Sequence, residues 1–227
     1  MNLPAGDALA RAFVDIAGHP LAAERGWQQC YSYFGTDEAS FDPEQAALLL
    51  GFHLAGAGAF QNGNGLRRCG SAALLPIVRI ARSAEYADLR AIPVARVAEA
   101  SERIVTFVEA MKTALAEESP DVRLGASLFS KIALATLGCV PAYQRLQLKG
   151  MRARGWRATF FAQSVAAMAD AARGDADFRS FYETLERSRL RMSSGLAYPP
   201  MRMLDAYLQL LGEEVVRAAR EQARPIA

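Results

Sequence analysis

Apolar residues in this chain recur at the spacing of a helix, and no run alternates apolar and polar over six or more positions as a half-buried strand would. Between residues 93 and 115, Val94, Val97, Ile104, Val105, Val108 and Met111 follow a 3.6-residue period, with Glu99, Glu102 and Arg103 between them. From about Pro200 to Arg220, Met203, Leu204, Tyr207, Leu208, Leu211 and Val215 share one face. Asp42-Pro43 reads as an N-cap followed by a first-turn proline, and Ser119-Pro120-Asp121 as a second start of the same kind. The expectation is an all-α single globular domain of about ten helices. They fall near 5–17, 21–34, 43–58, 66–82, 93–116, 122–137, 142–151, 159–173, 176–191 and 200–222, and residues 222–227 form a frayed tail.

Apolar residues make up 52 % of the 227 positions, ample for a packed core and too many for a disordered chain. No repeat of fixed period and no long Gly/Ser/Pro linker divides the chain. Cys30, Cys69 and Cys139 are odd in number and widely spaced, which suits reduced thiols better than a disulfide framework. Residues 1–11 contain Asp7 and no basic segment ahead of an apolar run, so a signal peptide is not expected. The longest uncharged stretch, 45–66, carries five glycines and four amide side chains, a composition unsuited to a lipid-spanning helix. These features lead to the expectation of a cytoplasmic protein with no membrane partner. His19 and His53 lack His or Cys partners at ligand spacing, so neither a metal nor another cofactor is expected. His53, in an apolar helical stretch, reads as a core histidine before a catalyst.

Charge is segregated. Residues 46–84 carry Arg67, Arg68, Arg79 and Arg82 with no acid, and residues 122–169 carry Arg123, Lys131, Arg145, Lys149, Arg152, Arg154 and Arg157 with no acid. Against a formal total of +2, these stretches hold +11 and the remaining 140 residues −9. Were the two stretches adjacent, they would form one basic face suited to a phosphate backbone, with Arg67, Arg68, Arg145, Lys149, Arg152 and Arg154 as phosphate contacts. The competing reading is that these cations pair with acids from elsewhere or solvate helix surfaces. The Gly-rich segment 56–65 has neither G-x-G-x-x-G spacing nor a closing Gly-Lys-Ser/Thr, so it is not a phosphate loop. It offers Gln61, Asn62 and Asn64, amides able to read a base edge, or else an ordinary helix–helix turn. Near the second basic stretch, Tyr143 and Trp156 are candidates to stack on unpaired bases, whereas Phe160 and Phe161 read as core.

The stretch from Leu128 to Arg145, with Ser130-Lys131 early and Val140-Pro141-Ala142-Tyr143-Gln144 at its end, resembles the post-hairpin segment of the helix-hairpin-helix DNA glycosylase superfamily. There a helix with a Ser-Lys-like start leads into a Val/Phe-Pro-x-x-Asp loop. The chain is also similar to an all-helical family of bacterial proteins of this size. Trp27-Gln28-Gln29-Cys30-Tyr31 resembles its Trp-x-Gln-Cys-Tyr signature, and Leu50-Gly51-Phe52-His53-Leu54-Ala55 its Leu-Gly-Phe-Tyr-Leu-Ala helix, with His for Tyr. Tyr198-Pro199-Pro200-Met201-Arg202-Met203-Leu204-Asp205 resembles its closing Tyr-Pro-x-Met-Lys-Leu-Leu-Asp motif.

The resemblance implies a helix-hairpin-helix glycosylase-like arrangement. It also implies an N-glycosylase that flips a base, a modified one in the leading case, out of DNA and excises it, in a setting of defence against modified phage DNA. Two departures bear on this. The superfamily's catalytic Asp falls on Gln144, which cannot ionise, and residues 61–64 read Gln-Asn-Gly-Asn where relatives read Arg-Gly-Ser-Ser. Asp205 is the candidate replacement acid, on an otherwise apolar helix, with an ion pair to Arg202 as the competing reading. Lys131 is the other candidate catalyst, because lyase-type members use a lysine there to form a Schiff base; it could equally be a phosphate contact or a surface lysine. The expected partner is nucleic acid, DNA before RNA, bound by a monomer. A non-catalytic DNA- or RNA-binding module and a helical protein-interaction domain are the alternatives.

Overall fold

Two helices can cross at backbone contact only where neither carries a side chain at the crossing point, and two glycines meet that condition here. A computed structural model describes residues 3–19, 24–56, 58, 60, 70–122 and 124–223. Its α-helices are α1 (Gly6–Gly18), α2 (Glu24–Tyr33), α3 (Pro43–Gly56), α4 (Leu75–Ala81), α5 (Val94–Val97), α6 (Ser101–Glu118), α7 (Ala126–Thr136), α8 (Arg145–Ala153), α9 (Ala162–Gly174), α10 (Ala176–Arg187) and α11 (Pro200–Gln222). Short 3-10 turns occupy Glu38–Ser40, Ser71–Leu74 and Ala84–Leu89. Among the described residues the only extended pairing is an isolated bridge between Arg191 and Ala197. The architecture is all-helical and forms one domain.

The most extensive helix–helix packing is that of α8 on α11 and of α1 on α10. A Cβ on Gly150 of α8 would lie 2.2 Å from the Leu208 carbonyl oxygen, and one on Gly212 of α11 would lie 2.1 Å from that of Leu146. The reciprocal contact presses α8 onto α11. It brings the start of α8 against Asp205 one turn before Leu208.

The first half of α11 is buried on every side, from Met201 to Leu208, as expected of a helix that runs through a core. Arg202 and Asp205 lie inside that stretch. Helix α7 is equally enclosed, with Ile132, Ala133 and Ala135 fully buried. It ends at Thr136, and two residues on is Gly138, whose φ of 62° is in the left-handed region. A Cβ there would meet the Tyr31 ring at 2.9 Å and Pro199 at 3.0 Å, so the chain leaves α7 through a gap only glycine fits.

Most of the predicted helices form, and the exceptions have local causes. Asp42 is the N-cap expected: its Oδ1 accepts from the Glu44 amide at 2.8 Å. The 93–116 segment divides into α5 and α6, because the Ser101 amide turns to the Ala98 carbonyl, three residues back, at 3.4 Å. Ser119-Pro120-Asp121 does not open a helix. The Ser119 amide instead closes α6 on the Leu115 carbonyl at 2.8 Å, and α7 begins only after Gly125.

If the glycine crossing is tight, adding a methyl group there must cost stability despite alanine's better helix propensity. Gly150→Ala should destabilise the protein by about 1–3 kcal/mol in urea unfolding. Gly174→Ala, at an α9 position with no atom within 4 Å of the added Cβ, should be neutral or stabilising.

Candidate functional site

Burial of Arg202 is made possible by two acids on different helices. Its Nη2 pairs with Glu24 Oε2 of α2 and its Nη1 with Asp205 Oδ2, while Nε donates to Glu24 Oε1 at 3.2 Å. The guanidinium also lies 5.3 Å from the Trp27 ring centroid and 5.7 Å from that of Phe13. Asp205 has no oxygen left over. Its Oδ1 accepts from the Ala142 amide at 2.8 Å and from Gln147 Nε2 at 3.0 Å. Burial opposes the Arg202 charge, but Glu24 and then Asp205 outweigh it and hold the guanidinium above its ordinary pKa. Burial pushes Asp205 above the usual carboxylate range, against the pull of Arg202, the Ala142 amide, Lys131 and Gln147.

The loop between α7 and α8 is therefore held from both sides. Asp205 holds Ala142, and Ser130 Oγ accepts from the Tyr143 amide at 2.8 Å. This places Gln144 at the N-cap position of α8, where its side chain makes no cap; Lys131 Nζ donates to its Oε1 at 3.1 Å. Burial lowers the Lys131 pKa; Asp205 pulls it back up and Arg202 pushes it further down, leaving it below the ordinary ammonium value.

A cavity of about 460 Å³ opens over this cluster, within the range of small-ligand sites. Trp27, His53, Lys131, Gln144, Arg202 and Asp205 are among the residues that line it. Burial, then the Lys131 and Arg202 charges, push the His53 pKa down to about 3, so its imidazole is neutral near pH 7. A second depression, also about 460 Å³, shares Gln144 and Arg145 with the first and runs along α8 past Lys149 and Arg152. Arg145 and Arg152 are exposed. Arg145, Lys149 and Arg152 make no ion pair among the described residues.

The residues singled out from the sequence divide into three groups. Asp205, Lys131 and Gln144 come together at the cavity, and Arg145, Lys149 and Arg152 line the adjoining depression. Arg154 points elsewhere: it pairs with Asp177 at 2.7 Å and Asp175 at 3.6 Å and lies over Tyr207, so it is a structural cation rather than a free phosphate contact. Tyr143 is also buried, its ring edge-on to Phe160 at 5.0 Å, and presents no stacking face to solvent. Trp156 is half-buried against the core, while Phe161, read as core, is 44 % exposed. Arg79 pairs with Glu118 and Arg82 with Glu38, so the described arginines of the first basic stretch are neutralised by acids from elsewhere. Gln61, Asn62, Asn64, Arg67, Arg68 and Arg123 lie outside the described residues. Among the described residues no cluster of His, Cys, Asp and Glu could hold a metal, and no helix is long and apolar enough to cross a membrane.

Glu24 and Gln147 were not legible in advance. Each is an ordinary polar residue in an amphipathic segment, and only the packing of α2 and α8 onto α11 shows what it touches.

Two measurements follow. Arg202→Met leaves two buried carboxylates unpaired and should cost about 3–5 kcal/mol in urea unfolding, with part of the loss recovered by adding Glu24→Gln. His53 in the unfolded chain protonates near pH 6.5, whereas in the folded protein it stays neutral down to about pH 3. Stability carried by the neutral imidazole is thus lost as pH falls below 6.5. Between pH 7 and pH 4.5 the wild type should lose up to about 2–3 kcal/mol more than His53→Leu.

No protein-family profile, curated protein or solved structure matches this chain.

Proposed function

We propose that this chain is a nucleic-acid N-glycosylase acting on DNA, with an arrangement similar to the helix-hairpin-helix glycosylases. One observation carries the reading: the cavity holding Lys131 shares its rim, Gln144 and Arg145, with the unpaired cationic strip on α8. A flipped nucleotide presents a base that wants an enclosed pocket and phosphates that want cations just outside it. Here the two environments adjoin.

In this reading Lys131 is the catalytic residue. Its amine, driven toward the neutral form by burial, attacks C1′ of the sugar. The N-glycosidic bond breaks and the base leaves with the electron pair. Of the two protons on the attacking amine, one goes to the departing base and the other to O4′ as the sugar ring opens, which leaves an imine between Nζ and C1′. Asp205 is a positioning residue, because all its hydrogen-bonding capacity is committed to Arg202, Ala142 and Gln147. It fixes the loop that carries Gln144 and adds negative potential beside the cationic transition state. Resemblance alone suggests a modified base and a role in phage defence.

A second reading, a binding module of the same fold without chemistry, is favoured by Gln144 standing where the resemblance expects Asp. Base release measured by mass spectrometry on ordinary DNA, heavily modified phage DNA and bulk RNA separates the two. The glycosylase reading expects free base from a DNA, and a loss of at least about a hundredfold in Lys131→Ala with binding retained. The rate should rise with pH through a lysine pKa lower than usual, since the neutral amine is the nucleophile. Changing Arg145, Lys149 and Arg152 together to Gln should lower the slope of log affinity against log salt on duplex DNA by about 3. Salt-dependent binding with no base released from any substrate would leave the binding module.

A further inference from the structure

Lys131 is half-buried at the wall of the cavity and makes no ion pair among the described residues. Among those residues its Nζ bonds a single partner, the Gln144 side-chain oxygen, at 3.1 Å. Acids stand close by. Glu24 of α2 and Asp205 of α11 line the same cavity, but both are paired with Arg202. The other charged or titratable groups of that wall are His53 of α3, neutral near pH 7, and Arg145 of α8, a further cation. A lysine beside two carboxylates is thus given to a neutral amide.

The contact is set by the backbone on both sides. Ser130 Oγ accepts from the Tyr143 amide at 2.8 Å and donates to the Ser127 carbonyl at 2.9 Å. Successive residues of α7 therefore hold successive residues of the loop, Ser130 with Tyr143 and Lys131 with Gln144. The Gln144 main-chain carbonyl accepts from the Leu148 amide at 2.8 Å and so begins α8. Its side chain does not serve that helix. The N-cap position favours Asp, Asn, Ser or Thr, whose oxygen reaches an unpaired amide, and Gln144 makes no such cap.

An amide and a carboxylate differ here in a way that bears on the reaction. A carboxylate at the same distance from Nζ would hold the ammonium as an ion pair and favour the protonated form. The amide oxygen accepts an N–H of the amine without that charge.

We propose that Gln144 is a positioning residue for Lys131: its oxygen takes one hydrogen of the amine and fixes the direction of the lone pair, and its lack of charge lets the amine stay neutral. Burial of Lys131, which lowers its pKa, acts in the same sense. The assignment rests on the glycosylase reading and goes beyond it, because the residue that departs from the expected Asp becomes a working part of a lysine-based site.

Two readouts test it with the full chain. In the first, without DNA, Lys131 is acetylated with trace acetic anhydride across a pH series and followed by mass spectrometry. Lys112 and Lys149, the other lysines of the chain, serve as internal references. Wild-type Lys131 should titrate below Lys112. Gln144→Glu keeps the length of the side chain, and a carboxylate at a helix start suits the fold. It should move the Lys131 titration upward by about one pH unit or more. In the second readout, base release is followed against pH on the DNA from which wild type releases base. Gln144→Glu should be about tenfold slower at pH 7 and approach wild type as pH rises, since less of the amine is neutral. Gln144→Leu, which has no acceptor, should lower kcat about tenfold with KM little changed and no upward movement of the pH profile.

An unmoved Lys131 titration in Gln144→Glu overturns the assignment and leaves the glycosylase reading standing. So does an unchanged kcat in Gln144→Leu, or release by Gln144→Glu as fast as wild type at pH 7. No base released by wild type from any DNA overturns the glycosylase reading, and the assignment with it.

Discussion

The Arg202 guanidinium is the joint on which the site depends. Two carboxylates, Glu24 and Asp205, are taken out of water to meet it, and each belongs to a different helix. Desolvating three charges is expensive, so the arrangement adds little net stability compared with an apolar packing of the same volume. What it supplies is position. Because Arg202 fixes one oxygen of Asp205, the other is free to take the Ala142 amide and the Gln147 side chain. The α7–α8 loop and the start of α8 are thereby set against α11, and Lys131 and Gln144 come within 3.1 Å of each other. The three donors converging on Asp205 suit an ionised carboxylate, since a protonated one would bring a donor of its own into the cluster.

That polar joint works only because the backbones are already close. Gly150 and Gly212 let α8 and α11 touch at main-chain distance, and Gly138 turns the chain out of α7 between Tyr31 and Pro199. Steric and electrostatic constraints thus act on one place. The glycines bring the helices together, and the ion network selects which residues of each face the cavity.

Helical class was legible because it rests on a repeated local signal, the 3.6-residue period, which survives errors at any single position. Helix ends were less so: Ser119-Pro120-Asp121 has the composition of a start, but the Ser119 amide was already committed to closing α6. For the site, Lys131, Gln144 and Asp205 could be named from sequence because they lie in recognisable segments. The segments quoted from 27–31, 50–55, 128–145 and 198–205 all contribute to the cavity wall. Glu24 and Gln147 could not be named, since what makes them special is a partner 178 or 58 residues away. Charge gave a mixed result for the same reason. Arg145 and Arg154 are alike in sequence, yet one faces a depression unpaired and the other is bound to two aspartates on another segment.

The cavity wall and the strip beside it differ in how their charges are paired. Glu24 and Asp205 in the cavity wall are both paired with Arg202, while Arg145 on the shared rim and Lys149 and Arg152 in the adjoining depression make no ion pair among the described residues. Loss of a base from a sugar develops positive charge at C1′ while the phosphates on either side remain negative. In the proposed reaction the unpaired cations would face those phosphates, and the fixed Asp205 carboxylate would favour the cation over the intact nucleotide, the kind of difference that accelerates a reaction. By this argument Asp205 need not touch the substrate to matter. Its charge, kept in the wall by Arg202, the Ala142 amide and Gln147, would act on the cation at C1′ without moving a proton, which the proposed reaction needs because Gln144 cannot serve as an acid.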